Sequence, residues 1–541
     1  MAEIGVFLLL LALAVLLQWA AGTFSSEMAH YPDEGAHYVT SLMVRDYVAS
    51  GFPGKPVAFA ERFYVRFPKI AFGAWPPLFH LVLGAWLLPV PDGRNGVFLM
   101  MALIMAMTGY LLYRSLRPVA GWAAGLLIAV LLVLLPVNQA LTSTVMADSL
   151  IMLIELAAAM LIARWLKSGA NWDAIWVGIV VGLACTSKGS GMAAILAVPL
   201  AIVWSRRWVL LRKPGIYAAA LITGAMSFAV QLQALRLLDK ASSLNPFTLA
   251  GLWRSSEFYL AFLYHGLGWA LWGLILLGAI ATAGSVKRRE GAWELWASMG
   301  AMAISVLLFY IVIPHSPEGR YLLATIAPAL VFLAPGARKL ASVLPSGGIA
   351  DSWRVPLVLG CVMAVFLGFV FEIPKVPHFG FRDAAVWLKN HPLAGQRCLI
   401  VSDSSGEGGF VAEVASMADR RVPGPSVMRV SKFLFVSNWN MGHYRLVYAD
   451  AGTALADIER MGISYVVVDG TPGLCGQPHC EQVRQMLEQY PDRLSLVQRF
   501  PSGGSGRVRS LDIYRVLHFA DPPTKKFKIQ LIYTRGGSVS E

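Results

Sequence analysis

Charge is what this chain has least of. Asp, Glu, Lys and Arg together make up 14% of its 541 residues, against roughly 25% in an average soluble domain. With 56% hydrophobic residues, that deficit excludes a soluble globular protein and a disordered chain alike. Cysteine is sparse too, five in all, which excludes a disulfide-stapled scaffold. Cys185 and Cys361 lie in apolar runs and read as buried thiols. Cys475 and Cys480, written CGQPHC, are the only close pair and could close a small disulfide loop. Metal-ligand spacing is missing: His265, His315, His443 and His479 show no i, i+4 pairing, and His479 with two cysteines is too few for zinc. The net charge of +13 suits membrane topology, because polytopic proteins collect Lys and Arg in cytoplasmic loops. No nucleic-acid partner is expected.

What is present is apolar runs of spanning length. The first, Ile4 to Gly22, has no basic leader and no A-x-A site, so it reads as a retained helix. Others fall at about 95–114, 119–139, 147–166, 171–188, 190–205, 215–237, 260–284, 293–313, 321–337 and 355–372, about eleven in all. The apolar stretch Pro76–Val90 has proline at both ends and is too short to cross a core of ~30 Å. It reads as an interfacial or re-entrant element. With the N-terminus inside, Arg114, Arg117, Arg206, Arg207, Arg212, Lys213, Lys287, Arg288 and Arg289 fall on the cytoplasmic face, as the positive-inside rule expects. Loop 1, about residues 23–94, is then extracytoplasmic.

After about residue 376 helical and strand patterns alternate. Arg382–Asn390, Gly409–Met417 and Ala454–Met461 read as helices, Cys398–Asp403 and Ile463–Asp469 as strands. The expected organisation is a helical polytopic membrane domain at 1–375 and an extracytoplasmic α/β domain at 376–541. The residues from about Asp521 onward read as a loosely ordered tail. Gly406-Glu-Gly-Gly409 after a strand looks like a phosphate-cradling turn but lacks the full dinucleotide fingerprint.

The chemistry-bearing stretch is Met28-Ala-His-Tyr-Pro-Asp-Glu-Gly-Ala-His-Tyr in loop 1. Asp33 can cap a helix beginning at Glu34, with Val39, Leu42, Met43 and Tyr47 on one apolar stripe. Four further elements share its membrane face in the expected topology: Trp75-Pro-Pro-Leu-Phe-His80, Met146-Ala-Asp148, Thr186-Ser-Lys188-Gly and Pro317-Glu-Gly-Arg320-Tyr321. Singly each has an ordinary reading as a turn, a cap, a snorkelling lysine or an interfacial anchor. Together they set a carboxylate and several cations on one face, where the carboxylate can take a proton from a hydroxyl while the cations hold a leaving phosphate.

This ordered set resembles the integral-membrane GT-C glycosyltransferases, in the glycosyltransferase family 39 branch that holds protein O-mannosyltransferases and lipid A aminoarabinose transferases. The resemblance covers roughly residues 1–340. It implies a polyprenyl-phosphate-linked sugar donor, a hydroxyl acceptor on a lipid, protein or polysaccharide, and inverting displacement at the outer face of a bacterial-type inner membrane. On that likeness Asp33 is the base, and Lys188 and Arg320, with Tyr321, contribute to donor binding. Asp148 lines the cavity, and Glu34 orients loop 1 or bonds sugar hydroxyls. Some relatives carry Lys before Pro-Pro where this chain has Trp75. Lys69, Arg66 or Lys55 are the candidates to substitute for it, unless the donor sits differently. No cofactor is implied with certainty; Asp33, Glu34 and Asp148 could bind a divalent cation only if the fold brought them together. Two other classes stay open: a transporter or flippase of a lipid-linked saccharide, and a membrane-anchored binding or assembly protein. The lack of an internal repeat and the clustering of polar motifs at one face favour the enzyme.

Overall fold

The structure is a computed structural model. It describes all residues except 1, 71–72, 74, 91–92, 242–247, 314–316, 344–349, 394–395, 419–424, 438–442, 471–476, 505–506, 526–527, 531–537 and 541. His315 and Cys475, and with Cys475 the proposed disulfide loop, lie outside the described residues.

The membrane part runs as α1 (Ala2–Ala21), then loop 1 with α2 (Glu34–Ala49), α3 (Pro56–Arg66) and α4 (Leu78–Trp86). There follow α5 (Gly93–Ala120), α6 (Trp122–Leu134), α7 (Pro136–Thr142), α8 (Ala147–Ser168), α9 (Asn171–Ser187), α10 (Ala193–Ser205) and α11 (Pro214–Ala241). The last are α12 (Leu249–Arg288), α13 (Trp293–Val312), α14 (Leu323–Leu330), α15 (Leu333–Val343) and α16 (Asp351–Phe369). Among the described residues, seven helices are long and apolar enough to cross a membrane, or nine if the bent pairs at 122–142 and 319–343 each count as one span. The two shorter apolar helices, Asn171–Ser187 and Gly189–Ser205, complete a set of eleven segments that coincides with the runs read from sequence. The chain is a multi-pass membrane protein. Helix α4 has 9 residues and so a length of about 14 Å, less than half a bilayer core.

Helices approach closely where side chains are missing. A Cβ added to Gly278 of α12 would lie 1.9 Å from the Phe332 carbonyl oxygen, and one added to Gly336 of α15 would lie 2.1 Å from that of Leu274. The pair permits backbone contact between two membrane helices, which association in lipid exploits.

The C-terminal part opens with α17 (Phe381–Asn390), β1 (Arg397–Val401), α18 (Ser404–Met417), β2 (Ser426–Arg429), α19 (Val430–Phe433), and a short ribbon of β3 (Phe435–Val436) and β4 (Arg445–Leu446). It continues with α20 (Ala451–Arg460), β5 (Ile463–Asp469), α21 (Pro478–Gln489), β6 (Leu494–Gly504) and β7 (Arg507–Val516). The main sheet has the order β2-β1-β5-β7-β6; β1 runs parallel to β2 and β5, and β7 antiparallel to β5 and β6. Sequence periodicity placed β5, α17 and α20, but not α21 or the β6–β7 hairpin, which carries the Arg499–Asp512 cross-strand pair at 2.7 Å. In the expected tail, Lys528–Gln530 pairs with Ser538–Ser540.

Two readings need correction. The strand at 398–403 ends at Val401, and the helix expected from Gly409 begins at Ser404, so the glycine run lies inside α18. Its first free amides are taken by Asp403, whose Oδ1 accepts from Ser405 N at 2.9 Å and Gly406 N at 2.7 Å. The run is a capped helix, not an open phosphate cradle.

Loop 1 and the C-terminal part share one hydrophobic core. Met28, Tyr38, Val39, Leu42, Phe79 and Leu83 are buried together with Phe381, Phe410, Val411, Cys398 and Val467. Replacing Gly336 by Val should lower Tm in detergent micelles, with an overpacking cost of about 1–3 kcal/mol; an unchanged Tm would show that α12 and α15 do not rely on this approach.

Candidate functional site

Helix α2 begins at Glu34 with Asp33 at its N-cap position, φ −84° and ψ −23°. The backbone does what the sequence suggested, since His37 N donates to Asp33 O at 2.9 Å. The side chain does not: Asp33 makes no capping bond among the described residues. Its Oδ2 instead accepts from Arg320 Nη2 at 3.1 Å, and the carboxylate is 34% exposed.

Glu34, one residue on, faces the other way. Its Oε1 accepts from Val145 N at 3.0 Å and its Oε2 from His30 N at 3.0 Å. The residue is 1% exposed. Burial raises its carboxyl to about 7, against the opposing pull of those amides. Glu34 therefore fixes the entry to α2 and the turn before α8.

Arg320 stands in the 3-10 turn Gly319–Leu322. Its Nε donates to Glu318 Oε2 at 2.6 Å, and its guanidinium lies 5.0 Å from the Tyr31 ring centre and 5.4 Å from that of Tyr321. Tyr321 donates from its hydroxyl to Glu318 Oε1 at 3.0 Å and stacks on Tyr310 with ring centres 5.0 Å apart. Lys188 follows α9 in extended conformation. Gly191 lets the chain double back there, because a Cβ would meet the Ala184 carbonyl oxygen at 2.1 Å. The Lys188 ammonium donates to Asp148 Oδ1 at 2.5 Å and lies 4.8 Å from the Tyr321 ring centre. Asp148 is in the first turn of α8 and is buried. Aromatic faces thus hold both cations beside their carboxylates.

Asp33, Asp148, Lys188, Arg320 and Tyr321 come together at helix ends, and Glu34 lies behind them. Sequence reasoning missed Glu318, although it sits in the motif that supplied Arg320. It also missed Tyr31 and a neutral aromatic cluster: His37 Nδ1 lies 3.0 Å from His80 Nε2, and Trp75 stacks on His37 at 4.2 Å. Burial, with Lys188 and Arg320 near, pushes His37 down to about 3, and burial likewise lowers His80. Trp75 therefore belongs to an uncharged wall, where a lysine would have added charge. Of the three candidate substitutes, Lys69 donates to Ser404 O at 2.9 Å, on the C-terminal part. Arg66 lies 5.0 Å from the Phe67 ring centre, and Lys55 is exposed at the head of α3. Among the described residues no group of three or more His, Cys, Asp or Glu side chains could hold a metal ion.

An accessible carboxylate bonded to a guanidinium, with a second cation on the same aromatic wall, can accept a proton and bind an anion. Comparison with known proteins finds one family model and several solved structures. Residues 75–232 match the family model described as dolichyl-phosphate-mannose-protein mannosyltransferase. The crystal structure of ArnT from Cupriavidus metallidurans in the apo state is 14% identical, with 95% of this chain and 98% of that chain covered and a TM-score of 0.57. The same protein bound to undecaprenyl phosphate gives 13% identity, 93% and 97% coverage and a TM-score of 0.53. The Archaeoglobus fulgidus oligosaccharyltransferase tethered with an acceptor peptide gives 13%, 86% and 69%, and 0.52. No curated protein matches the sequence. The chain has the fold of these solved structures.

The Glu34 environment predicts a pH effect. Its folded value lies above its unfolded 4.5, so the folded state keeps the extra proton. Its stabilisation is fully present below pH 4.5 and lost as pH rises to about 7. Across that window the wild-type Tm should drop relative to that of Glu34→Gln; Glu27 and Glu413, which burial raises, pull Tm down in both proteins, and His37 and His80, which burial lowers, oppose them. A Gln variant with the wild-type slope would show that Glu34 titrates without penalty.

Proposed function

We propose that this chain is an inverting glycosyltransferase that moves a sugar from a polyprenyl-phosphate-linked donor to a hydroxyl acceptor at the extracytoplasmic face of a bacterial-type inner membrane. The observation that carries the reading is the placement of Asp33 on Arg320, beside Lys188 and Asp148 in one aromatic-lined site. The fold is that of an ArnT bound to undecaprenyl phosphate and of an oligosaccharyltransferase tethered to an acceptor peptide.

In this reaction Asp33 takes the proton of the acceptor hydroxyl. The acceptor oxygen forms a bond to the anomeric carbon as the bond from that carbon to the phosphate oxygen breaks. The electron pair leaves with the polyprenyl phosphate, whose growing charge Arg320 and Lys188 stabilise. Attack opposite the leaving group inverts the anomeric centre. Tyr321 and Glu318 fix Arg320 in place, and Asp148 orients Lys188. The neutral His37–His80–Trp75 wall keeps further charge from competing for the donor. The active groups lie at helix ends rather than along a transmembrane path, which supports an enzyme over a transporter.

Asp33→Asn should lower transfer by at least about 100-fold, the scale of a general base, while undecaprenyl phosphate binding, followed by tryptophan fluorescence, stays intact. Near-normal turnover would remove Asp33 from the mechanism. Lys188→Ala and Arg320→Ala should weaken use of the donor more than use of the acceptor, and equal, negligible effects would refute their phosphate role.

A further inference from the structure

The segment that carries Asp33 is held from both sides of the aspartate by the C-terminal part. Before it, Glu27 is 1% exposed and accepts from Phe379 N at 2.5 Å and Arg382 N at 2.9 Å. A carboxylate there meets the entry of α17, where free amides and the helix dipole favour it. Ala29 follows, pressed against α18: a Cβ added to Gly409 would lie 2.7 Å from Ala29 Cβ and 3.3 Å from the Met28 carbonyl oxygen. Just after Asp33, Gly35 meets Gly408 so closely that an added Cβ would lie 2.4 Å from its carbonyl oxygen. Beyond α3, Lys69 donates to Ser404 O at 2.9 Å, and Arg429 donates to Pro68 O at 3.2 Å.

Two of these contacts have glycine on α18. Glycine in a helix interior costs stability relative to alanine, yet α18 reads Ser-Ser-Gly-Glu-Gly-Gly through its first turns. The cost is explained if a flat helix face is needed for the loop 1 backbone to lie against. On its other side the same segment reaches the membrane part, through the Asp33 to Arg320 bond.

We propose that α17 and α18 are positioning elements of the transfer site: through Glu27, Gly408 and Gly409 the C-terminal part sets where the first turn of α2 holds Asp33 against Arg320. The inference rests on the glycosyltransferase reading for its functional consequence. The side chains named touch neither donor nor acceptor; they act through the backbone of residues 27–35. A displacement of the order of 1 Å at a reacting group can cost up to about 100-fold in rate, so small shifts at this interface reach the chemistry.

The test is a double-mutant cycle between Gly409 and Ala29 in the full-length protein. Gly409→Ala sets one methyl against another, and Ala29→Gly removes the obstruction. Turnover is read by mass spectrometry as polyprenyl phosphate released from polyprenyl-phosphate sugars extracted from native membranes. Binding is read with undecaprenyl phosphate, and the position of α2 by hydrogen exchange of amides 28–40. Gly409→Ala should lower kcat by about 10-fold or more, with undecaprenyl phosphate affinity within about twofold of wild type and faster exchange confined to loop 1. The double variant Ala29→Gly with Gly409→Ala should recover both kcat and exchange. Gly360→Ala in α16 is the control, because a Cβ there would meet nothing within 4 Å; kcat should stay near wild type. If Gly409→Ala leaves kcat and exchange unchanged, or if Ala29→Gly fails to restore them, the positioning role is overturned. A wild-type protein that releases no polyprenyl phosphate would instead overturn the transferase reading, while the exchange cycle still decides whether α18 places α2.

Discussion

Arg320 ties the first loop to the last membrane helices across 287 positions of sequence, and the arrangement of the site depends on it. Its side chain is 9% exposed. A guanidinium at that depth beside a bilayer is costly unless it is paired. It has Glu318 on Nε, Asp33 on Nη2 and the faces of Tyr31 and Tyr321 on its plane. The planar fork is what allows two carboxylates and two rings to be held by one side chain. Remove it, and Asp33 has no reason to leave the helix end that it could have capped.

The adjacent acids Asp33 and Glu34 show how a helix start can separate two like groups. Asp33 lies at the N-cap and Glu34 at the first helical position, so their side chains leave the axis in different directions. Glu34 is enclosed, satisfied by two backbone amides, and raised to about 7 by burial. Asp33 keeps partial access to water and a cationic partner. Environment rather than residue type encloses one acid and leaves the other accessible, and two carboxylates with unlike surroundings can take different roles.

Legibility in the sequence followed the range of the interaction. The apolar segments, the start of α2 at Glu34 and the buried strand Ile463–Asp469 are written in local periodicity, and they appear where it put them. The convergence of Asp33, Asp148, Lys188 and Arg320 was accessible through their shared face in the expected topology. Glu318 was not: nothing local distinguishes a carboxylate that orients Arg320 and Tyr321 from one that faces water. The His37–His80–Trp75 stack was hidden because each residue also fits an apolar face. The glycine run of α18 was misread because its meaning lies in loop 1, through Ala29 and Gly35, hundreds of residues away. The same distance hid the shared core of loop 1 and the C-terminal part.

The scarcity of charge bears on how a donor enters the proposed reaction. Three carboxylates, Asp33, Asp148 and Glu318, face two cations, Lys188 and Arg320. In the proposed reaction a lipid phosphate would add negative charge to a set that already holds an excess of it. Asp148 is buried and bonded to Lys188 at 2.5 Å. Glu318 is two residues from Arg320, bonded to it at 2.6 Å and also to Tyr321. Asp33 has the longest of these bonds, 3.1 Å, to a terminal nitrogen of the guanidinium. It is also 34% exposed and free to turn toward water. On these distances Asp33 is the least tightly held of the three carboxylates.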